Sequence, residues 1–347
     1  MVELIKPKKL SKGDKLATVT LSWGGPGTVP HRYHVGKMQL EKEFDVEVVE
    51  MKHTLRDADW IYRNPKARAE DLMEAFSDKS IKGIVSTIGG DESVRILPFL
   101  DPRIVKDNPK VFLGYSDTTV AHFFCMHAGL SSFYGPSIMA GFGENGGLPS
   151  YLKESVKRTL FSSEAIGEIT PSDQWTWDFL DWGDPNNQEI KRSMNKNEGP
   201  IFYQETGKAR GRLIGGCVEV LEMLKGTQYW LPEQSWKDAI LFLELSGENH
   251  DDILFERWIR NYGSQNILEK LSGIIMARPY LDDISKIKKY DELLLRIVRE
   301  ELGLKDLPIV SQMDFGHTDP MFVIPYGALA EIDSDAKKFS ILENAVE

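Results

Sequence analysis

The sequence predicts an α/β protein built on a parallel, doubly wound sheet, and three features indicate this fold class. Short apolar runs with the length of buried strands alternate with stretches whose apolar residues recur at helical spacing. Polar or glycine-rich turns follow several of these strands, as they do where ligands bind at the carboxyl edge of such a sheet. With 347 residues, the chain is long enough for two domains that each bury a core.

The composition is that of an ordinary soluble protein, with 41% hydrophobic and 27% charged residues. No apolar run approaches the length of a membrane span, and the first residues lack the hydrophobic region of a secretory signal. Cys125 and Cys217 lie in apolar segments without metal or disulfide spacing, so we expect buried free thiols in a reducing cytoplasm. The net charge of −11 argues against binding of nucleic-acid polymers and favours a small-molecule or peptide substrate.

The first half of the chain alternates predicted strands and helices. Residues 15–20 and 46–49 fit strands on either side of a helix over 30–44. Pro65 opens a second helix, because proline suits the first helical position, and a buried strand follows over 81–88. Since strands that alternate with helices pair in parallel, these elements predict the doubly wound sheet.

Two glycine-rich turns follow strands in this half. Residues 21–27 come after the first strand but match neither of the glycine motifs that bind phosphate, so we interpret them as a loop lining a site. Gly89 and Gly90 follow the strand over 81–88. Both turns belong at the carboxyl edge of a parallel sheet, where a ligand crevice is expected.

Ser116 lies in a predicted strand-to-helix turn. Residues 111–113 fit a short buried strand, Gly114 permits a tight turn, and a helix begins at Thr118 or Thr119. Such a turn exposes the hydroxyl beside backbone N–H groups that can bind an oxyanion, although the second glycine of the usual nucleophile elbow is missing. The alternative is a serine that only caps the helix. Because this turn and the glycine turns converge on one sheet edge, we favour the nucleophile.

The stretch 166–206 has a different character from the rest of the chain. It holds Trp175, Trp177 and Trp182 among Asp, Asn, Gly and Pro, with little periodicity. Composition alone slightly favours a plain interdomain connection. The alternative is an aromatic face for a planar ligand, since stacking on a base stabilises by about 1–3 kcal/mol.

The second half again alternates strands and helices, from about Gly207 onward. A predicted strand over 239–245 carries Glu244 near its end, and another over 308–313 leads to His317. The stretch 212–221 lies at the start of this half, and the other predicted elements are helices over 251–262 and 290–302 and a strand over 271–277.

A serine nucleophile needs a base and a third group that orients this base. His317 follows a strand and a glycine, in a loop that could reach a serine of another domain. Glu244, near the end of a buried strand, is costly unless paired, and a histidine is a natural partner. His122 and His127 suit packing or surface positions, and the acidic stretch around His250 suits a solvated helix start better than a metal site.

Seven short motifs occur in order along nearly the whole chain. They are PKARAEDL over 65–72, IGGD over 88–91, GYSDTT over 114–119, YGP over 134–136, GGC over 215–217, LE over 243–244 and FGH over 315–317. No single motif is decisive, but the ordered set is highly specific. Together they make the chain resemble the LD-carboxypeptidase family of serine peptidases, and within it the branch of microcin C self-immunity (MccF-like) peptidases.

The resemblance implies a particular domain organisation. A flavodoxin-like N-terminal domain with a parallel sheet would span 1–165 and carry the nucleophile. The tryptophan-rich connecting loop would span 166–206. A smaller C-terminal β/α domain over 207–347 would supply the glutamate and the histidine, so that the site lies between the two domains.

The resemblance also implies the roles of individual residues. The Ser–Glu–His triad of the family falls on Ser116, Glu244 and His317, and its oxyanion hole falls on the backbone N–H groups of Gly90 and Asp117. No metal or other cofactor is expected. Family members are typically cytoplasmic homodimers.

Two branches of the family differ in substrate. Murein LD-carboxypeptidases remove the terminal D-alanine from a muropeptide tetrapeptide, whereas the immunity branch cleaves the bond that joins an aminoacyl or peptidyl group to a nucleotide. The immunity branch carries an aromatic loop that stacks on the nucleobase, and the tryptophan stretch resembles it, with Trp182 the first candidate and Trp175 the second. This reverses the preference for a plain connection, although the loop could still be only a lid.

We therefore expect a serine peptidase that acts on aminoacyl nucleotides of the microcin C type. The alternative within enzymes is a murein tetrapeptide LD-carboxypeptidase of cell-wall recycling. The alternative outside enzymes is a binding protein with a degenerate site.

Overall fold

Two large β-sheets organise the structure, a computed structural model that describes residues 3–203, 207–247, 252–280 and 284–347. Among these residues the first sheet has six strands and the second has eight, and the middle strands of both pair in parallel. The predicted α/β class with a parallel sheet is therefore confirmed. Within the same ranges, no helix combines the length and the apolar character that crossing a membrane requires.

The strands are numbered in chain order. They are β1 (Lys15–Val19), β2 (Glu47–Glu50), β3 (Ile81–Ser86), β4 (Val111–Gly114), β5 (Phe133–Tyr134), β6 (Gly167–Glu168), β7 (Gln174–Trp175), β8 (Asn195–Lys196), β9 (Ile201–Phe202), β10 (Lys208–Cys217), β11 (Ala239–Glu244), β12 (Gly273–Ala277), β13 (Ile309–Met313), β14 (Ile324–Pro325), β15 (Leu329–Asp333) and β16 (Lys338–Ile341).

The α-helices are numbered in the same way. They are α1 (Gly25–Thr28), α2 (Pro30–Phe44), α3 (Ala58–Arg63), α4 (Pro65–Ser77), α5 (Pro102–Asp107), α6 (Thr119–His127), α7 (Ser150–Leu160), α8 (Val218–Leu224), α9 (Asp252–Ser264) and α10 (Ile287–Leu295).

The first sheet has the strand order β14-β5-β4-β3-β1-β2, and its neighbours are parallel except for the pair β14 and β5. The order β2-β1-β3-β4-β5 is the flavodoxin-like arrangement, in which the direction of winding reverses between β1 and β3. Ligands bind at this reversal in such sheets, outside the carboxyl ends of the strands. The loops after β1, β3 and β4 are therefore the expected place for a site.

The second sheet has the order β6-β16-β15-β10-β11-β12-β13-β9. Its strands β10 to β13 pair in parallel, as the predicted β/α pattern requires. Antiparallel strands extend it on both sides, with β15, β16 and β6 beyond β10 and β9 beyond β13. The antiparallel additions were not predicted.

The connecting segment 166–206 contributes to the second sheet as well as bearing tryptophans. Its strand β6 pairs with β16, and its strand β9 pairs with β13. Between them, β7 and β8 pair with each other as a small separate sheet. The domain boundaries at 165 and 207 stay a prediction.

Helices α2 and α4 begin at prolines, as predicted. Pro30 and Pro65 occupy the first turn, where the missing N–H is no loss because this donor has no partner within a helix. Leu72 and Phe76 of α4 are fully buried. Burying such a side chain contributes roughly 1.5–3 kcal/mol, so the apolar face holds α4 against the sheet.

Candidate active site

A cavity of about 460 Å³ lies at the carboxyl edge of the first sheet. Trp23 from the loop after β1, Gly89 and Gly90 from the turn after β3, and Ser116 from the turn after β4 line it. His317, from the loop after β13, lines it as well. The glycine-rich turns and Ser116 thus meet at one sheet edge, as the sequence predicted.

Ser116 occupies a strained strand-to-helix turn. Strand β4 ends at Gly114, Ser116–Thr118 form a single 3₁₀ turn, and helix α6 follows at once. The φ of Ser116 is +61°, a left-handed conformation that costs free energy for a residue with a side chain and is typical of nucleophile elbows. Thr118 stands where the motif usually has its second glycine, and its hydroxyl donates to Ser86 Oγ at 3.1 Å. The predicted strand, turn and helix are confirmed.

Gly89 leaves room for the serine hydroxyl. A Cβ atom on Gly89 would lie 2.9 Å from Ser116 Oγ, closer than real Cβ atoms approach other heavy atoms. It would also lie 3.3 Å from the backbone nitrogen of Asp117. The turn after β3 therefore packs directly against the serine turn, and a larger residue at position 89 would displace the serine.

His317 and Glu244 form a series of hydrogen bonds with Ser116. His317 Nε2 lies 3.1 Å from Ser116 Oγ, and His317 Nδ1 lies 2.7 Å from Glu244 Oε2. Because a carboxylate can only accept hydrogen bonds, the imidazole proton is on Nδ1, and Nε2 accepts a hydrogen bond from the serine hydroxyl. Glu244 is fully buried at the end of β11, whereas His317 remains partly exposed towards the cavity. The structure thus brings together the three residues predicted to form a triad, and the serine hydroxyl bonds to histidine rather than capping a helix.

Gly316 permits the close packing of this series. Its φ is +81°, and a Cβ atom there would lie 2.7 Å from Glu244 Oε2. Only glycine combines this backbone conformation with so close an approach to the carboxylate.

Asp117 ties the turn after β3 to the serine turn. Its carboxylate accepts the backbone N–H groups of Glu92 and Ser93 at 3.0 and 2.8 Å. Burial raises the pKa of the Asp117 carboxyl. Gly90, the other predicted oxyanion donor, has a φ of +144° and lines the cavity. Their backbone N–H groups belong to segments in direct contact, and their role towards an oxyanion stays a prediction.

The two candidate stacking tryptophans have different surroundings. Trp182 lines the cavity together with Phe179, with ring centroids 6.0 Å apart, and the Arg32 guanidinium lies 4.7 Å from its ring. Trp175 is only 8% exposed and packs against the Arg278 guanidinium at 4.8 Å. The placement of Trp175 therefore gives no support to a role in binding.

Arg192 links three parts of the cavity wall. It donates to both carboxylate oxygens of Glu144, to Asp319 Oδ2 at 2.6 Å and to the carbonyl of Asp178 at 3.0 Å. Burial would lower the pKa of the Arg192 guanidinium, but the carboxylates of Asp319 and Glu144 outweigh this effect and raise it. Since Asp319 follows His317 closely in the chain, Arg192 connects the tryptophan segment to the histidine loop.

Arg32 contributes a second buried cation to the cavity wall. Its guanidinium donates to the Met139 carbonyl at 2.9 Å and to Asn145 Oδ1 at 2.5 Å. Burial lowers its pKa to about 10, against the opposing effect of the Glu144 carboxylate. Neither Arg32 nor Arg192 could be identified from the sequence. Each lies outside any recognisable motif, and its partners are far along the chain.

The remaining histidines give no metal site in the described part of the chain. Within it, no three His, Cys, Asp or Glu side chains are grouped as ligands, and the alternative site around His250 lies outside the described residues. His122 is buried, with its ring nitrogens bonded to Ser132 Oγ and the Gly114 carbonyl. Of the packing or surface position predicted for His122, the structure shows packing.

Fold and site together define a class of protein. A serine in a strained turn at the edge of a flavodoxin-like sheet, bonded through a histidine to a buried glutamate, is the arrangement of a serine hydrolase. Residues 16–135 match the LD-carboxypeptidase N-terminal domain, and residues 210–332 match the LD-carboxypeptidase C-terminal domain. The chain belongs to the LD-carboxypeptidase family, as its motifs indicated.

Several relatives align along nearly the whole chain, and they include an immunity protein and a carboxypeptidase. The microcin C7 self-immunity protein MccF of Escherichia coli is 32% identical over 339 residues, which are 96% of this chain and 94% of that protein. A probable murein peptide carboxypeptidase of Bacillus subtilis is 25% identical over 345 residues, which are 98% of this chain and 95% of that protein. The chain is thus a homologue of an immunity protein and of carboxypeptidases.

Solved structures agree with this relationship. MccF in complex with aspartyl sulfamoyl adenosine superimposes with a TM-score of 0.88 at 29% identity, over 99% of this chain and 100% of that one. An MccF-like protein from Streptococcus pneumoniae in complex with AMP gives a TM-score of 0.85 at 28% identity, over 94% of this chain and 98% of that one.

Proposed function

We propose that this chain is a serine peptidase that hydrolyses the amide-type bond between an aminoacyl or peptidyl group and a nucleotide, and so detoxifies microcin C-like aminoacyl adenylates. The observation that carries the proposal is the hydrogen-bonded series of Ser116, His317 and Glu244 beside a cavity with an aromatic wall. The relatives support the substrate class, since MccF binds aspartyl sulfamoyl adenosine and an MccF-like protein binds AMP.

In the proposed mechanism, His317 accepts the Ser116 proton while Ser116 Oγ attacks the aminoacyl carbonyl carbon. Glu244 holds the imidazole through its Nδ1–H and stabilises the positive charge that forms there. The bond from the carbonyl carbon to the nitrogen of the nucleotide moiety then breaks, and His317 protonates that nitrogen as it leaves. Water attacks the acyl-enzyme, with His317 again as the base, and regenerates the Ser116 hydroxyl.

The negative charge on the carbonyl oxygen needs donors during the attack. We assign this role to the backbone N–H groups of Gly90 and Asp117, whose segments pack against each other at Gly89. A donor of this kind typically contributes about 3–4 kcal/mol to the stability of the transition state.

Trp182 is the proposed stacking partner of the nucleobase. It lines the same cavity as Ser116, and the Arg32 guanidinium and the Phe179 ring pack against it. Stacking of a base on an aromatic ring stabilises by about 1–3 kcal/mol and tolerates different bases. The second candidate, Trp175, is buried against Arg278, so we retain Trp182 alone.

The alternative function is hydrolysis of a murein tetrapeptide to release D-alanine. It is favoured by the relationship to the probable murein peptide carboxypeptidase, which extends over nearly the whole chain. The aromatic cavity wall argues against it, because a muropeptide has no planar base to stack. The homodimer and the cytoplasmic location that the resemblance implies stay predictions.

The proposal is tested by assaying the purified protein on an aminoacyl sulfamoyl adenylate and on a murein tetrapeptide, with products identified by mass. Ser116→Ala and His317→Ala are expected to fold and to lose turnover. Cleavage of the nucleotide conjugate alone supports the proposal, whereas release of D-alanine alone supports the alternative. If neither substrate is cleaved and a serine-directed probe leaves Ser116 unlabelled, the chain is a binding protein and both assignments are wrong.

The same assay tests the aromatic wall. Trp182→Ala is expected to raise KM for the nucleotide conjugate more than for a plain peptide, because only the former loses a stacked base. Trp175→Ala serves as the control from the same segment. Equal losses on both substrates in Trp182→Ala would remove the stacking role.

A further inference from the structure

Tyr134 closes a ring of four hydrogen bonds around the serine turn. The backbone N–H of Ser116 donates to the Tyr134 hydroxyl at 3.0 Å, and this hydroxyl donates to Glu244 Oε1. The other carboxylate oxygen, Oε2, accepts from His317 Nδ1 at 2.7 Å, and His317 Nε2 accepts from Ser116 Oγ at 3.1 Å. The nucleophile is therefore connected to Glu244 twice, once through histidine and once through tyrosine.

We propose that Tyr134 is a positioning residue, whose hydroxyl holds the Ser116 backbone and the Glu244 carboxylate in the geometry that the histidine requires. The inference rests on the proposed function, because it assigns Tyr134 a role in the same reaction. Tyr134 does not touch the substrate in this scheme. It acts through the two groups that it holds.

The carboxylate needs this second anchor. Glu244 is fully buried, and each of its oxygens has one of the two hydrogen-bond partners described above. Without the tyrosine donor, Oε1 would be a buried charged oxygen with an unmet hydrogen bond, a costly state that rotation of the carboxylate would relieve. Such a rotation would move Oε2 away from His317.

The Tyr134 hydroxyl also anchors the backbone of Ser116. Ser116 has a φ of +61°, which side chains disfavour, and its N–H points at the tyrosine hydroxyl rather than into a helix or a strand. Surrounding interactions must hold such a strained residue in place. The tyrosine hydroxyl supplies one of them.

The Tyr134 hydroxyl is suited to this double role. Tyr134 is 1% exposed, and its ring packs against Phe242, His122 and Tyr326 at centroid distances of 5.5, 5.8 and 6.3 Å. Burial raises its pKa well above the ordinary value, and the Glu244 carboxylate acts in the same direction. The hydroxyl therefore stays protonated and serves as a hydrogen-bond donor to the carboxylate.

Tyr326 provides a matched control. It is fully buried beside Tyr134, and its hydroxyl also donates to an oxygen, the Gly215 carbonyl at 2.9 Å. This bond lies outside the ring of four. Removal of the Tyr134 hydroxyl breaks two buried hydrogen bonds and opens the ring, whereas removal of the Tyr326 hydroxyl breaks the bond to Gly215 and leaves the ring closed.

The experiment compares Tyr134→Phe with Tyr326→Phe in the purified full-length protein. We expect kcat to fall about tenfold to a hundredfold in Tyr134→Phe, with KM changed less than about threefold, because hydrogen bonds to charged groups have effects of this size. Tyr326→Phe should keep kcat within about twofold of wild type and lose less thermal stability than Tyr134→Phe, because its lost bond is to a neutral carbonyl and not to a buried carboxylate. Equal kcat values in the two variants would overturn the proposal.

A second readout needs neither substrate nor turnover. The proton shared by His317 Nδ1 and Glu244 should give a far-downfield NMR signal in the resting protein, assigned by its loss in His317→Ala. We expect the signal to move in Tyr134→Phe and to stay unchanged in Tyr326→Phe. If wild type cleaves no substrate, the proposed function fails, but this signal still decides the role of Tyr134.

A third variant covers a failure of Tyr134→Phe to fold. A fluorotyrosine at position 134 keeps both hydrogen bonds and makes the hydroxyl a stronger donor to Glu244. It should move the same NMR signal, whereas a fluorotyrosine at position 326 should not. An unmoved signal with fluorotyrosine at position 134 would contradict the proposal.

Discussion

Gly316 shows how closely the residues around the serine are packed. It precedes His317 with a φ of +81°, and a Cβ atom there would lie 2.7 Å from Glu244 Oε2 and 2.8 Å from Glu244 Cγ. Glu244 is fully buried, so its side chain has little space into which it can retreat. A methyl group at position 316 would therefore push the carboxylate away from the imidazole.

Gly316→Ala is expected to lower kcat about tenfold to a hundredfold, because small displacements of catalytic groups have effects of this order. Gly13→Ala is the matched control, since Gly13 also has a φ of +81° but a Cβ atom there meets no heavy atom within 4 Å. Both variants strain the backbone, and Gly316→Ala should lose more stability than Gly13→Ala because its methyl group also meets the buried Glu244 side chain. Steady-state kinetics and thermal unfolding of the two proteins check this. Equal kcat values would show that contact with Glu244 is unimportant.

At the scale of elements, Arg192 holds the aromatic segment, residues 176–196, over the cavity. The guanidinium binds the carboxylates of Glu144 and Asp319. It also donates a hydrogen bond to the Asp178 carbonyl, which lies in the aromatic segment itself. The Arg192 side chain is 12% exposed, so these bonds lie largely out of water. The position of Trp182 therefore depends on an ion-pair network formed by residues far apart in the chain.

Arg192→Met is expected to destabilise the fold by about 3–5 kcal/mol, because it leaves the buried Glu144 carboxylate and the partly buried Asp319 carboxylate without their cation. It should also raise KM for a nucleotide-containing substrate more than it lowers kcat, since the segment loses its anchor while the serine turn stays intact. Lys196→Met is the control on the same segment, because Lys196 and its partner Glu198 are both exposed and such pairs contribute little. Urea unfolding and KM measurements on both variants test this, and an unchanged KM in Arg192→Met would contradict it.

At the scale of the whole molecule, buried His122 makes folding sensitive to acid. Its Nε2–H donates to the Gly114 carbonyl and its Nδ1 accepts from Ser132 Oγ, both at 2.9 Å. Burial lowers the pKa of His122 to about 3 from an ordinary value of 6.5. Between these values the unfolded chain binds a proton that the folded chain excludes, so stability rises with pH and is lost as the pH falls.

His122→Gln is expected to flatten this dependence, because glutamine can form similar hydrogen bonds but does not titrate. The free energy of unfolding is measured in urea at several pH values between about 4 and 7. As the pH decreases, this free energy should fall less steeply in His122→Gln than in wild type. His34→Gln, at an exposed position on α2, should leave the slope unchanged. An identical slope in wild type and His122→Gln would show that other groups govern acid unfolding.

Local patterns were sufficient to predict much of the fold. Helix α2 runs from Pro30 to Phe44 as predicted, and the strand, turn and helix around Ser116 were found from a short apolar run, a glycine and a following apolar stretch. Strands β6, β9 and β14 were missed because two residues carry no periodicity. They exist only through pairing with distant strands.

Local sequence patterns were enough to predict the α/β class, the serine turn and the order of Ser116, Glu244 and His317, because each follows from a strand end and its neighbours or from ordered motifs. The three-dimensional fold was needed to show that Trp182, rather than Trp175, lines the cavity. It alone also placed Tyr134 between the serine and the glutamate. These contacts join residues far apart along the chain, and a pattern of near neighbours holds no information about distances between distant side chains.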